Sequence, residues 1–188
     1  VKVSRANYND ATASATLTIT KQAIELTADS GSWTYDASEH TKPSYTITDG
    51  SFATGEGLTS ATFAATSAIT NAGSVANTIT GVTPKDGTQE NDYAFTYKAG
   101  TLTITNATFS VTLTGGSWTY NGGAHSATLT GTQSSDTIEY RTSTNGGTTW
   151  STWSSTKPSV THVSDGPMQV EVKVSRANYN DATASATL

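Results

Sequence analysis

Apolar and polar residues alternate along much of this chain. Ile24, Leu26 and Ala28 are separated by Glu25 and Thr27, and Tyr93, Phe95 and Tyr97 by Ala94 and Thr96. The same holds for Phe109, Val111 and Leu113, and for Val170, Val172 and Val174. A period of two sends successive side chains to opposite faces of an extended strand. Each run therefore predicts a strand with one dry face and one wet face, the pattern of antiparallel sheets. Turn dipeptides fall between the runs: Asp49-Gly50, Asp86-Gly87, Asn121-Gly122, Asn145-Gly146 and Asp165-Gly166. No amphipathic helix is expected. The Ala-rich stretch 58–72 is broken up by Thr59, Thr62, Thr66 and Thr70, and its Leu58, Phe63 and Ile69 form no stripe. Many short strands with regular turns predict an all-β fold of antiparallel β-sandwich type.

The alternation is itself repeated. Residues 1–17 read VKVSRANYNDATASATL, and residues 172–188 read the same letter for letter. A match of that length has no chance origin, so the chain reads as a window on a tandem array. A weaker period lies inside the first. Ser32-Trp33-Thr34-Tyr35 recurs as Ser117-Trp118-Thr119-Tyr120, His40 as His125, Tyr8 as Tyr93, and Leu17, Thr18 and Ile19 as Leu102, Thr103 and Ile104. The repeating unit is then two diverged modules, each of a size that supports one small core. Residues 1–18 read as the closing strands of a preceding module, 19–104 as module A and 105–188 as module B. The run TLTITNATFSVTLT (101–114) contains neither Gly nor Pro. The last strand of module A is thus expected to pass almost directly into the first of module B, a joint with little freedom.

Composition narrows the class. Hydrophobic residues are 34% of the chain and charged residues 13%, with no Cys and one Met. Low charge argues against disorder, and abundant Thr favours strands. The lack of Cys fits an exported protein free of stray disulfides. A net charge of −5 offers no footprint for nucleic acid, and no apolar window approaches the length of a membrane span.

The runs YKAGTLTIT (97–105) and SWTYNGGAH (117–125), with NYNDATASATL near the module end, resemble the MBG/YDG-type repeats of large bacterial cell-surface adhesins. The resemblance covers both modules. It implies Ig-like β modules in long tandem runs, outside the cell at its surface or wall, acting as a stalk or spacer. It brings no catalytic residues with it. Module A departs from the pattern in having Asp36-Ala37 where module B has Asn121-Gly122.

Candidate chemistry is sparse, and no catalytic, cofactor or metal residue is assigned. His40 and His125 share a module position, but Glu39 beside the first becomes Ala124 beside the second, so no ligand pair is shared. No Ser-His-Asp set, GxSxG or P-loop can be read. Ser143 to Trp150 resembles the Asp-box hairpin of sialidases with Asn145 in place of its Asp; a tight Asn145-Gly146 turn suffices to explain it. Lys21 heads a first strand where an internal Lys–Asn isopeptide staple would begin, but its counterpart is Asn106, so the modules cannot share one. The loop Asp86-Gly87-Thr88-Gln89-Glu90-Asn91-Asp92 carries oxygen ligands suited to Ca²⁺ without EF-hand spacing; a solvated loop is its default reading. Trp33 and Trp118 recur at one position and are expected as core or half-buried anchors. Trp150 and Trp153 are the candidate glycan contacts: strand spacing would put them on opposite faces and leave one free to stack on a sugar ring.

Three functions compete. The leading one is mechanical: a non-catalytic stalk whose partners are the neighbouring repeats of its own chain, with host or environmental glycans met by a distal domain. The second is a carbohydrate-binding module using Trp150 and Trp153. The third is a self-assembling filament, in which the closing strands 1–17 pair with another copy.

Overall fold

A computed structural model describes all residues 1–188. Its regular structure is fifteen strands and two 3-10 turns, with no α-helix. In chain order the strands are β1 (Lys2–Val3), β2 (Ala11–Thr12), β3 (Gln22–Ala28), β4 (Gly31–Thr34), β5 (Tyr45–Asp49), β6 (Leu58–Phe63), β7 (Gly73–Asn77) and β8 (Ile79–Pro84). There follow β9 (Tyr93–Lys98), β10 (Gly100–Thr105), β11 (Thr112–Thr114), β12 (Thr128–Thr130), β13 (Thr137–Ser143), β14 (Gln169–Ser175) and β15 (Ala182–Thr187). The expected all-β class is observed, divided among several small sheets.

Two compact units can be described separately. The first comprises Val1–Ser30, Lys42–Ser67 and Ala76–Gly100. Its sheet has the order β5-β3-β9, and β6 pairs with β8. Ile24, Leu26 and Ala28 point from the central β3 into a core completed by Ile79 and Tyr93. The β6–β8 pair adds Leu58, Phe63, Ile79 and Val82, so both sheets share that core. Burying each Ile or Leu side chain contributes about 1.5–3 kcal/mol. A buried polar peg fixes the edge: the Asn77 Nδ2 donates to the carbonyls of Asp29 and Lys42, each at 2.8 Å.

The second unit comprises Gly31–Thr41, Ala68–Val75 and Thr101–Leu188. Packing in it crosses the repeat boundary at 104/105. Sheet β4-β10-β7 surrounds Leu102 and Ile104, packed with Ile69, Trp33 and Tyr35. Sheet β13-β14-β15 and the pair β11–β12 enclose Leu113, Ala127, Tyr140, Val170, Val172, Val174 and Leu188.

Strand direction departs from the expectation of wholly antiparallel sheets. The pairs β3–β9 and β4–β10 are parallel. In both, a strand from early in module A meets one from its end, so the connection between them is most of the module. Alternation reports which face is dry but carries no information on direction, which is why the sequence pattern missed this.

The duplicated sequence appears in two environments. Lys2 pairs with Thr12 and Val3 with Ala11; Lys173 pairs with Thr183 and Val174 with Ala182. These are the same register. Asn7 and Asn178 both take left-handed φ values, +70° and +67°. The hairpin is therefore encoded locally. Burial is not: Val1 and Val3 are 90% and 61% exposed, whereas Val172 and Val174 are 0%.

Candidate functional site

Trp150 and Trp153 lie on one side of sheet β13-β14-β15, not on opposite faces. Both are half-buried, and the Arg141 guanidinium lies 4.8 Å from one ring centre and 4.7 Å from the other. The reason is a bulge. Ser151 donates to the Thr142 carbonyl, and Ser154 bridges Tyr140. Three steps on one strand thus match two on its partner, and the extra residue restores the face. Arg141 is held from below by Glu171, to which its Nε donates at 2.6 Å. Lys173 Nζ lies 4.9 Å from the Trp153 ring centre and forms an ion pair with Glu139 at 2.7 Å. Beside Trp150, Gln169 and Ser185–Thr187 line a shallow depression of ≈ 210 Å³.

The hairpin resembling an Asp-box is a side-chain-stitched turn. Ser143 Oγ accepts from the Gly147 N–H at 2.9 Å, and Asn145 Oδ1 accepts from the Thr149 N–H at 3.0 Å. Gly146 and Gly147 both take positive φ, the conformation in which a side chain costs energy.

The recurring Trp and His form a stacked pair in each module. Trp33 lies on His40 at 4.7 Å with 19° between planes, and Trp118 on His125 at 4.7 Å with 10°. Each indole also folds back over the glycine two residues earlier: a Cβ on Gly31 would meet the Trp33 ring at 2.3 Å, and one on Gly116 the Trp118 ring at 2.9 Å. The His is oriented by the turn residue four before it, Asp36 at 3.0 Å or Asn121 at 3.2 Å. The same residue's Oδ1 accepts from the backbone N–H two residues on, Ser38 or Gly123. Hydrogen bonds from the Ser38 N–H and then His40 lower the Asp36 pKa. The Asp36-Ala37 departure is thus the same turn, with Ala37 at φ +66° where Gly122 has +78°.

A third cluster holds the loop after β14. Arg176 donates from Nε and Nη2 to the two oxygens of Asp136, both at 2.8 Å, and lies 4.1 Å over the Phe109 ring. The Asp136 side chain is fully shielded, and hydrogen bonds from Arg176 first, then from the Gln133 N–H, hold its pKa at about 2. Tyr179 meets Phe109 and Tyr35 edge-on. Asn178 Oδ1 accepts the Ala72 N–H at 2.9 Å, and its Nδ2 donates to Asn71 Oδ1 at 3.0 Å. Ala107 runs parallel to Tyr179, donating to the Asn178 carbonyl and accepting from the Asn180 N–H. Residues 35, 71 and 72 are thereby joined to 107–109 and 176–180 within the second unit. The unbroken run through 101–114 pointed to a tight joint; the loop that closes it was not legible.

The fourth feature is a groove of ≈ 380 Å³ between Ser117–Tyr120 and Val160–Val163, floored by Leu188. Trp118, Tyr120 and Val163 line it while 42%, 60% and 84% exposed. Asp165 pins the far wall: its carboxylate accepts the N–H of His162 at 2.7 Å and of Thr161 at 2.9 Å, and these bonds lower its pKa, His162 contributing most.

No three His, Cys, Asp or Glu residues gather in a metal-holding arrangement, and Asp86, Glu90 and Asp92 of the acidic loop are not brought together in one. Lys21 and Asn106 are both exposed. No helix is long and apolar enough to cross a membrane. No family model, curated protein or solved structure matches this chain.

Proposed function

We propose that this chain is a pair of Ig-like modules, at 19–104 and 105–188, from the tandem stalk of a large bacterial cell-surface adhesin of the MBG/YDG type. Its role is mechanical and non-catalytic, outside the cell: it sets length and holds a distal binding domain away from the surface. The observation that carries the reading is the joint. A flexible tether needs no side chains at its hinges, yet here Asn178, Tyr179 and Phe109 are committed to fixing residues across the 104/105 boundary. Identical recurrence of residues 1–17 at 172–188 supplies the array. The test is small-angle scattering on chains carrying one, two and three of the repeating units. A maximum dimension that grows linearly with unit number supports a stalk; growth as the square root, the law for a flexible chain, overturns it.

The depression beside Trp150 favours one second reading, a glycan contact at Trp150 and Trp153. Glycan-array binding that is lost in a Trp150→Ala, Trp153→Ala double variant would support it. Binding that survives the double variant, or no binding at all, removes it.

A further inference from the structure

We infer that the depression beside Trp150 takes one uncharged pyranose unit of a glycan, with Trp150 as its stacking face and Gln169 and Ser185 as its hydrogen-bonding rim, Trp153 being a positioning residue. The inference rests on the glycan reading above and narrows it to one indole and one class of sugar.

The two indoles are not equivalent. Trp150 lines the depression with Gln169 and Ser185–Thr187, and Trp153 does not. Trp153 is instead flanked by two cations, with Arg141 Cζ 4.7 Å and Lys173 Nζ 4.9 Å from its ring centre. Trp150 has Arg141 alone, at 4.8 Å. Trp153 therefore acts on the site through the guanidinium that it shares with Trp150.

The polar rim is fixed but unbonded. Gln169 is paired between Ser143 and Thr187, and Ser185 is paired with Glu171. Val170 and Val172 are buried, so Gln169 and Glu171 lie on the outer face of the sheet, where Glu171 meets Arg141. The hairpin sets the spacing. A Cβ on Gly147 would meet Gln169 Oε1 at 2.9 Å and the Trp150 ring at 3.7 Å, so amide and indole are held against the same bare glycine. Neither the Gln169 amide nor the Ser185 hydroxyl makes a hydrogen bond within the chain.

These groups match a sugar ring. Its C–H face is positively polarised and meets the negative face of an indole. Its hydroxyls both donate and accept, as the Gln amide and Ser hydroxyl do in return. Charge decides the class of sugar. Arg141 is paired with Glu171 and Lys173 with Glu139. Neither the segment 142–156 nor the strand 182–187 carries a charged residue. No cation is left over for a carboxylate or a sulfate. The depression, at ≈ 210 Å³, is smaller than the roughly 300–1,000 Å³ that encloses a drug-sized ligand, which suits one ring.

The experiment is an NMR titration of the chain 1–188 with the methyl glycosides of glucose, galactose, mannose and N-acetylglucosamine, and with glucuronic and N-acetylneuraminic acids. Expected is a neutral glycoside that shifts the Trp150 indole N–H and the Gln169 side-chain amide, with a millimolar Kd that added salt leaves unchanged. Trp150→Ala should abolish binding. Gln169→Ala should weaken it about two- to tenfold, the loss of one hydrogen bond. Gln169 lies on the outer face of the sheet, so this variant keeps the test readable even where Trp150→Ala disturbs the hairpin. Trp153→Ala should weaken binding and Trp153→Phe, which keeps a ring under Arg141, should restore it. Binding retained in Trp150→Ala, or indifferent to Gln169→Ala, overturns the site. Acidic sugars that bind in place of neutral ones, are displaced by salt and are lost in the Trp150→Ala, Trp153→Ala double variant overturn the neutral class and leave the glycan reading standing. Binding on a glycan array with none of these sugars bound likewise overturns the inference alone, whereas no binding in either assay overturns both.

Discussion

Asn178 offers a perturbation with a built-in control. Its backbone is left-handed at φ +67°. Asn tolerates that region, whereas an ordinary L-residue pays about 1–2 kcal/mol there. Its side chain also makes two bonds that alanine cannot. The one from the half-buried Ala72 N–H costs about 1 kcal/mol or more to lose, because the amide is left unpaired, while the exposed one to Asn71 falls at the low end, about 0.5 kcal/mol. Asn178→Ala should therefore destabilise by about 2–4 kcal/mol. Asn178→Gly keeps the turn and loses only the bonds, so about 1–2 kcal/mol is expected. Asn7 has the same neighbours in sequence and a φ of +70°, but lies in the exposed copy. Asn7→Ala should shift global stability by less than about 0.5 kcal/mol, as for surface positions generally. Urea unfolding read by Trp fluorescence gives the three differences, and exchange protection of the Ala72 amide locates them. If Asn178→Ala matches wild type, or Asn7→Ala costs as much, the loop takes no part in the cooperative unit and the joint argument fails.

Three further outcomes are expected. Ala37→Gly should stabilise by up to about 1 kcal/mol, the relief of a left-handed alanine less the entropy of glycine, while Gly122→Ala should do the reverse; equal signs in urea unfolding would refute the shared turn. Asp136 is held at about 2, below its value of 3.8 when unpaired, so its contribution to stability is complete above about pH 4 and is lost as pH falls toward 2. Acid titration of the urea midpoint should show that limb, and Arg176→Gln should flatten it; an unchanged limb would assign it to other carboxylates. Arg141→Ala removes the cation between two indoles and should cost about 1–2 kcal/mol, with a red shift of Trp emission as both rings gain water; an unshifted spectrum would show that the rings hold each other without it.

The sequence was most informative where structure is local. The alternation at Ile24–Ala28 and Val170–Val174 became β3 and β14 with the expected dry faces, while that at Tyr93–Tyr97 became β9 with Tyr93 buried and Tyr97 39% exposed. The hairpin of residues 1–12 forms in the register of its buried twin, so its instructions lie within those residues. Non-local choices were not written in the same way. The parallel partners of β3 and β4 come from seventy residues downstream, and periodicity is blind to direction. The common face of Trp150 and Trp153 turns on one inserted residue, which inverts every parity argument beyond it.

The parallel pairing of β3 with β9 has a mechanical consequence. In a stalk of the kind proposed, tension would enter at the start of β3 and leave beyond the end of β9. Because the two strands run in the same direction, that pull slides one along the other. Six paired positions, from Gln22–Tyr93 to Thr27–Lys98, must then yield together and not one at a time, and β4 against β10 repeats the arrangement over four. Resistance to force is set by the barrier to unfolding, not by equilibrium stability. A module of modest thermal stability can in this way withstand a steady drag, provided the pull comes through its ends.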